Sequence, residues 1–279
     1  MYQGIYLFST SIQISKFKRV FKTSASLIGL SASLIIAQPA LATIVQFQTV
    51  LGDFSVNLYD KTTPKTVANF LTYVNSSSTP YKNSIIHRSV PGFIVQGGGF
   101  KYDTKLPLIS IAQNAPVINE PIYANKRGTI AMAKLGTDVN SATNQWFFNL
   151  KDNSGNLDSQ NGGFTVFGEV TGNGMAIVDA MAALNVFNLG ANTAFTDIPL
   201  RNYTSTDATN GVAITDKNLV MILGIVVLDA NVDSAANLTP AKTTYTPSSG
   251  GSGGGGGGNT GLLTLLMLVC FAAIGRSRR

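Results

Sequence analysis

Cysteine and histidine are almost absent from this chain of 279 residues, and their scarcity excludes several kinds of chemistry. The only cysteine, Cys270, lies in an apolar stretch near the C-terminus, so the residues before it contain neither a disulfide nor a reactive thiol. The only histidine is His87, so a metal site built from histidines and cysteines is excluded. A Ser-His-Asp triad would have to be built on His87.

Charged residues make up only 12% of the chain, and their distribution argues against nucleic-acid binding. The formal net charge is +6, but seven of the 20 basic residues lie in residues 1–42 and 276–279, whereas all 14 acidic residues lie between these ends. The central region therefore has a net charge near −1, and it contains no cluster of lysine and arginine. The basic balance belongs to the two ends, which have the composition of targeting segments.

Residues 1–42 have the organisation of a secretory signal peptide. Residues 16–22 are basic, residues 24–37 form an apolar run, and Ala40-Leu41-Ala42 places small residues at the two positions that a signal peptidase reads. We expect cleavage after Ala42 and export of the remaining chain. The alternative is a retained N-terminal anchor, but the apolar run is shorter than the roughly 20 residues that a membrane span requires.

The C-terminus combines a flexible linker, a short apolar segment and a basic end. Residues 231–260 predict a Thr/Pro/Ser/Gly-rich linker, and residues 261–279 predict a hydrophobic sorting or anchor helix that ends in three arginines. This order resembles the GlyGly-CTERM sorting signal of Gram-negative bacteria. The resemblance implies cleavage by a rhomboid-type protease and passage to the cell surface or medium. The alternative is a plain tail anchor that keeps the exported protein in the membrane.

Residues 43–230 predict one domain composed mainly of short strands. Leu51-Gly52-Asp53 is typical of a hairpin turn, and two helices with apolar stripes are predicted, one from Thr63-Pro64 and one over about Met175–Leu184. Residues 185–217 are polar and predict an extended loop before the last strand, either packed locally or lying across the barrel. Eight strands would suffice for a closed antiparallel barrel with a helix at each mouth. The predicted strands are Thr43–Val50, Phe54–Tyr59, Ser84–Arg88, Phe93–Gln96, Thr129–Ala133, Gln145–Leu150, Phe164–Val170 and Leu219–Leu228.

One segment carries the strongest functional signal. Residues 85–100 read IIHRSVPGFIVQGGGF, and further matching segments are DFSVNLYDKTTPKTVANFLTYV from Asp53, GTIAMA from Gly128, NQWFFNL from Asn144 and LDSQNGGFTVFGEV from Leu157. Together these segments resemble the cyclophilin-type peptidyl-prolyl cis-trans isomerases. The resemblance implies a closed eight-stranded antiparallel barrel capped by two α-helices, and an enzyme that accelerates rotation about Xaa-Pro peptide bonds.

The resemblance also assigns roles to nine residues. Arg88 donates a hydrogen bond to the proline nitrogen, and Gln96 bonds the substrate backbone. Ala133 lines the groove for the residue before proline, and the backbone N–H of Lys134 binds the carbonyl of that residue. The other substrate-binding residues form an apolar proline pocket, namely Phe93, Ile94, Phe147, Leu157 and Phe164.

The chemistry of the reaction agrees with these residue types. Rotation about the peptide bond must overcome a barrier of about 18–20 kcal/mol, but it breaks no covalent bond, so no nucleophile, metal or cofactor is required. A proline nitrogen regains its lone pair in the twisted state, and a fixed guanidinium then stabilises that state more than the planar one. Because no proton is transferred, we interpret His87 as structural. Gly97, Gly98 and Gly99 predict a backbone turn rather than a phosphate-binding loop.

Three positions depart from the pattern of the family. Ile94 replaces a common Met, Asn156 stands where many eukaryotic members have Trp, and Phe164 occupies the place of a pocket-wall His. These changes imply weak cyclosporin binding and an altered substrate preference. The only tryptophan, Trp146, is predicted to lie in the core. The expected partners are proline-containing segments of exported proteins, while a proline-peptide chaperone or a surface interaction module on the same barrel is the alternative function.

Overall fold

The computed structural model describes residues 42–190, 193–232 and 238–246, all within one compact unit. The predicted signal peptide, apart from Ala42, and the predicted C-terminal helix lie outside the described residues. The described helices are α1 (Pro64–Val74), α2 (Ser154–Leu157), α3 (Gly174–Ala182) and α4 (Ser205–Thr209). The described strands are β1 (Ala42–Thr49), β2 (Phe54–Leu58), β3 (Ser84–Ile85), β4 (Arg88–Val90), β5 (Ile94–Gly97), β6 (Phe100–Lys101), β7 (Ile109–Ser110), β8 (Thr129–Met132), β9 (Trp146–Asn149), β10 (Val166–Val170), β11 (Val186–Phe187), β12 (Ile198–Pro199) and β13 (Met221–Val232).

Eleven of these strands form one antiparallel sheet, in the order β4-β5-β9-β8-β10-β2-β1-β13-β3-β6-β7. Side chains alternate between the two faces of a strand, and β1 shows the consequence for the core. Val45 and Phe47 are fully buried, whereas Gln46 and Gln48 between and after them are partly exposed. The mainly β, antiparallel architecture predicted from the sequence is therefore confirmed.

The sheet has more strands than the eight predicted, and one predicted strand is split. The amide of Ile86 donates to the carbonyl of Val220 (2.9 Å), but the next amide, of His87, donates to the carbonyl of Gln96 (3.1 Å). Residues 84–90 thus leave β13 and join β5, which divides the predicted strand into β3 and β4. All eight predicted strands are present. This split and the short strands β6 and β7 bring the sheet to eleven strands with β4 and β7 at its ends, so its closure as an eight-stranded barrel is not confirmed.

The main core lies between the inner face of the sheet and the helices α1 and α3. Phe47 stacks on Phe54 with ring centroids 5.1 Å apart, and it meets Trp146 edge-on at the same distance. Trp146 is fully buried in this core, as predicted. Phe70 of α1 and Val178 of α3 are also fully buried there, so the apolar stripes of both helices face inward. Apolar burial of this kind contributes roughly 25 cal/mol per Å².

Two segments predicted as loop and linker pack against the domain. Within residues 185–217, the strands β11 and β12 pair and α4 begins with a capping box between Thr204 and Asp207. The described part of the segment therefore packs locally, which was one of the two arrangements considered, and it contains short elements in place of an extended loop because isolated apolar residues, rather than a periodic run, form a cluster here. Residues 238–246, within the predicted linker, also contact the domain, since the amide of Ala124 donates to the carbonyl of Ala241 (2.8 Å).

The glycine run after β5 allows the backbone to pass close to β9. Gly98 has a φ of +81°, and a Cβ atom added to it would lie 2.5 Å from the carbonyl oxygen of Asn144 and 2.7 Å from Nε1 of Trp146. Only glycine accepts both this conformation and this approach. The run therefore serves as a backbone turn, as predicted.

Replacing Gly98 with alanine is expected to lower the free energy of unfolding by about 3 kcal/mol or more, because backbone strain and a steric clash add. Gly92→Ala is the matched control. Gly92 also has a positive φ, of +68°, but nothing lies within 4 Å of an added Cβ. Its substitution should cost only the strain, about 1 kcal/mol. Urea unfolding measures both values, and equal losses would contradict the close approach to Trp146.

Candidate functional site

A row of side chains on the outer face of the sheet contains both residues predicted to be catalytic. Arg88 on β4 pairs directly with Gln96 on β5, and Gln96 pairs with Phe147 on β9. Directly paired residues of neighbouring strands point to the same face of a sheet. The adjacent residues Val95 and Trp146 point the other way, into the main core. The two-residue period of the strands therefore separates the site from the core.

The apolar residues predicted for the proline pocket form one cluster beside this row. Phe147 and Phe164 meet edge-on with ring centroids 5.8 Å apart. The amide of Phe164 donates to the carbonyl of Leu157 (3.0 Å), which closes the segment that carries both residues. Ile94 and Ala133 belong to the same buried cluster, and the partly buried Phe93 packs against it. The structure thus brings together all the residues predicted to surround the proline.

Phe93 is placed by the hairpin that joins β4 to β5. The turn consists of Val90, Pro91, Gly92 and Phe93, and the amide of Phe93 donates to the carbonyl of Val90 (2.9 Å). Proline at the second position and glycine with positive φ at the third position suit a tight turn. The Pro-Gly pair noted in the sequence therefore fixes the register in which Arg88 faces Gln96.

Arg88 is buried, with only 5% of its surface exposed, and its guanidinium is held in a defined orientation. Its Nη1 donates to Oε1 of Gln96 (3.2 Å), and its Nε lies 4.0 Å from Oδ2 of Asp197. Its Nη2 is buried and has no hydrogen-bond partner within the described ranges. Burial lowers the pKa of the Arg88 guanidinium, and the negative charge of Asp197 opposes this shift. A charged hydrogen-bond donor whose Nη2 is unpaired can stabilise a lone pair that forms on a substrate during a reaction.

Gln96 connects Arg88 to Gln145, which was not among the site residues predicted from the sequence. The Oε1 atom of Gln96 accepts from Arg88, and its Nε2 donates to Oε1 of Gln145 (3.0 Å). Gln145 lies two residues before Phe147, so the period of a strand would have placed it on the same face. Both the oxygen and the nitrogen of the Gln96 side-chain amide are therefore hydrogen-bonded. In this structure Gln96 holds the guanidinium of Arg88 in place.

Lys134 contributes its side chain to the site, in addition to the backbone N–H that was predicted to bind the substrate carbonyl. The side chain is buried, and its Nζ donates to the carbonyl oxygens of Asn161 (2.7 Å) and Gly163 (2.6 Å). The ammonium also lies 5.0 Å from the ring centroid of Phe164. Burial lowers the pKa of Lys134 to about 8, with the charge of Asp138 opposing the shift, so the group is mostly charged at neutral pH. Lys134 thereby ties the wall that carries Phe164 to the end of β8.

Substituting Lys134 with methionine is expected to lower both stability and substrate affinity. Two buried carbonyl oxygens would lose their donor, at a cost of about 1–3 kcal/mol in the free energy of unfolding. The loosened wall should raise KM by about 3- to 10-fold, since contacting residues couple by such amounts. Urea unfolding and peptide kinetics measure the two effects. Lys82→Met, at an exposed position away from this wall, is the control, and an equal change in both variants would contradict the assignment.

A cleft of about 120 Å³ continues the site on the side of Ala133. Ala133 and Lys134 form one wall, and Gln145 is shared between this cleft and the hydrogen-bonded row. The remaining lining residues are Gln113, Leu135, Ser141 and Thr143. Ala133 thus lines this cleft, and the family resemblance implies that the same residue lines the groove for the residue before proline. Asn156, in contrast, is exposed at the end of α2 beside the buried Leu157.

His87 precedes Arg88 but takes no part in the row. Its ring is fully buried and meets Phe100 edge-on with centroids 5.1 Å apart. Neither ring nitrogen makes a well-formed hydrogen bond within the described residues, but weak hydrogen bonds with the backbone of Ile85 and the side chain of Gln145 partly oppose the effect of burial on the pKa of His87. Burial lowers the pKa of His87 to about 3, and the neighbouring charge of Arg88 adds to this shift. The ring is therefore neutral at pH 7.

Comparison with known proteins agrees with this geometry. The family model described as cyclophilin type peptidyl-prolyl cis-trans isomerase/CLD matches residues 44–204. The chain is 40% identical over 153 residues to a peptidyl-prolyl cis-trans isomerase of Acinetobacter baylyi, covering 53% of this chain and 77% of the relative. It is 37% identical over 177 residues to peptidyl-prolyl cis-trans isomerase A of Dickeya dadantii, covering 62% and 88% of the two chains. It is 39% identical over 142 residues to peptidyl-prolyl cis-trans isomerase B of Escherichia coli, covering 49% and 82%.

A crystal structure of a Cryptosporidium parvum cyclophilin type peptidyl-prolyl cis-trans isomerase covers 67% of this chain and 97% of its own. Its sequence identity is 23% and its TM-score is 0.44, which is too slight a likeness to add to the assignment. The chain belongs to the cyclophilin-type peptidyl-prolyl isomerase family, and it is a peptidyl-prolyl cis-trans isomerase.

Proposed function

We propose that the row Arg88–Gln96–Phe147 is the catalytic centre and that it accelerates rotation about Xaa-Pro bonds in extended polypeptides. The free, buried Nη2 of Arg88 is the observation that carries this proposal. A proline ring packs against Phe147 and its neighbours, which leaves the proline nitrogen facing the guanidinium. As the peptide bond twists, the nitrogen regains its lone pair and accepts a hydrogen bond that the planar amide cannot accept. Such a bond forms only in the twisted state and lowers the barrier.

The neighbouring groups hold the rest of the substrate. The residue before proline lies along Ala133, where the cleft begins, and the backbone N–H of Lys134 binds its carbonyl. The aromatic ring of Phe164 stacks on the proline in place of the histidine that other family members have. The modest size of the cleft, about 120 Å³, favours small or medium side chains before the proline.

Exchange spectroscopy by NMR tests the centre directly. A short peptide with resolved cis and trans proline signals is mixed with a small amount of the purified protein. Cross-peaks between the two forms, with shifts of the Arg88 and Phe147 signals on titration, are expected. Binding that shifts these signals without exchange cross-peaks would favour a proline-peptide-binding module instead.

We further propose that the natural substrates are exported proteins. The support comes from the sequence, where residues 1–42 resemble a signal peptide and residues 231–279 resemble a linker followed by a sorting or anchor segment. None of the helices within residues 42–246 that the structure describes is long and apolar enough to cross a membrane. Signal peptidase and a rhomboid-type protease are the proposed processing partners, and the proposed location is the periplasm, the membrane or the surface of a Gram-negative cell.

Mass spectrometry of the two ends of the protein, isolated from fractionated cells, tests export. We expect an N-terminus at Thr43 in the periplasmic, membrane or extracellular fraction. A C-terminus within the glycine run would indicate proteolytic sorting, and a C-terminus at Arg279 would indicate a tail anchor. An intact N-terminus at Met1 in the cytoplasmic fraction would contradict export.

A further inference from the structure

Residues 185–190 and 193–217 contain short elements that pack against the domain beside the site. The hairpin of β11 and β12 is followed by a bridge between Leu200 and Leu219, which ties the segment to the start of β13. Ile198 is fully buried and Leu200 is nearly so, within a cluster that includes Ile85 and Phe100. The residue just before β12 is therefore held in place by packing on one side and by strand pairing on the other.

That residue is Asp197, and it faces the strand that carries Arg88. Its backbone carbonyl accepts a hydrogen bond from the amide of Ser89 (2.8 Å). Its carboxylate lies 4.0 Å from Nε of Arg88 and also accepts from the hydroxyl of Thr196 (3.0 Å). The Asp197 side chain is 31% exposed, whereas that of Arg88 is 6% exposed. The partly solvated carboxylate of Asp197 thus lies near Nε of the buried Arg88 guanidinium.

We propose that Asp197 is a positioning residue for catalysis, acting through Arg88. This inference rests on the proposed role of Arg88. Gln96 holds the guanidinium at Nη1 and Asp197 attracts it at Nε, so two edges of a rigid, planar fork are fixed. The remaining Nη2 is then held in one orientation and keeps its hydrogen-bond donors free of partners within the described residues. Positioning of this kind matters because a small displacement of a catalytic donor costs much of its effect.

The charge of Asp197 also explains how Arg88 tolerates burial. A buried cation without a compensating partner is strongly disfavoured, and Gln96 supplies a dipole but no charge. Within the described residues, the ion pair with Asp197 is the one that reaches Arg88. Because the pair is 4.0 Å apart and the carboxylate is partly solvated, it orients the guanidinium without removing its free donor.

Kinetics of the Asp197→Asn variant test the proposal. We expect kcat to fall by about 3- to 30-fold with little change in KM, since the affected donor acts in the twisted state. Asp197→Glu should recover part of the loss, because its carboxylate can reach Nε again. The matched control is Asp207→Ala, which removes the capping box of α4 in the same segment without contacting Arg88. The control separates loss of orientation from general loosening of residues 185–217.

The ¹⁵N–¹H signal of Arg88 Nε gives a second readout that does not depend on activity. It should shift in Asp197→Asn and stay unchanged in Asp207→Ala. Unchanged kcat in Asp197→Asn, or an equal fall in kcat in both variants, would overturn the proposal. If the wild-type protein had no isomerase activity, the proposed catalytic role of Arg88 would fail, and a normal Nε response would show that the contact with Asp197 is present but serves another purpose.

Discussion

The Arg88→Ala variant is expected to lose about 100- to 1000-fold in kcat/KM for a proline peptide, the range found when one preorganised donor is removed from a transition state. The loss should lie mainly in kcat, because Arg88 acts on a lone pair that the planar substrate does not offer. Binding should weaken less, since the apolar cluster around Phe147 stays intact. Saturation kinetics with a peptide that starts enriched in the cis form measure both parameters.

Two further variants show whether the loss of activity is specific to the guanidinium of Arg88. Arg88→Lys keeps a positive charge but lacks the planar fork, so it should recover only a small part of the activity. Arg127→Ala removes an exposed arginine that pairs with Asp179 and should leave kcat/KM within about 2-fold of wild type. Full activity in Arg88→Ala would contradict the proposed catalytic centre.

Acidification from neutral pH to about pH 4.5 is expected to destabilise the protein through protonation of His87 in the unfolded chain. Its folded-state pKa, about 3, lies below the ordinary value of 6.5, so the unfolded chain takes up the proton first. The contribution of His87 to stability is complete above pH 6.5 and is lost as the pH falls toward 3. Each pH unit in this window costs up to about 1.4 kcal/mol, which amounts to about 2–3 kcal/mol at pH 4.5.

The His87→Met variant isolates this effect, because methionine fills a similar volume and does not titrate. Urea unfolding of both proteins between pH 7.5 and pH 4.5 gives the difference in their free energies of unfolding as a function of pH. We expect the difference to be constant above about pH 7 and to change by about 2–3 kcal/mol in favour of the variant by pH 4.5. A difference that is independent of pH would show that His87 is protonated without cost. Such a result would contradict the burial of the His87 ring in its neutral form.

Local sequence patterns predicted the strands, whereas the resemblance to the cyclophilin family supplied the candidate site residues. Alternation in β5 places Ile94 and Gln96 on one face and Val95 on the other, which is a property of four consecutive residues. The Pro91-Gly92 turn sets the register of Arg88 against Gln96 from equally local information. These features depend on neighbouring residues, so sequence patterns suffice to predict them.

Contacts between distant segments could not be predicted in this way. Asp197 reaches Arg88 from a segment without a continuous apolar run, and its position depends on the packing of Ile198 and Leu200. The side chain of Lys134 turns inward only because two carbonyl groups near Gly163 accept its hydrogen bonds. The break after Ile86 follows from competition between two neighbouring strands for the same stretch of backbone. Each of these three features depends on tertiary packing, which the periodicity of the sequence does not reveal.

The most direct test of the central claim is the cis-to-trans rate of a short Xaa-Pro peptide in the presence of the purified, folded protein. Uncatalysed exchange takes tens to hundreds of seconds, which leaves ample room for acceleration. We predict a rate that rises in proportion to protein concentration, saturates with peptide and is suppressed by a second proline peptide. A folded protein that binds the peptide and leaves the rate at its uncatalysed value would contradict the account.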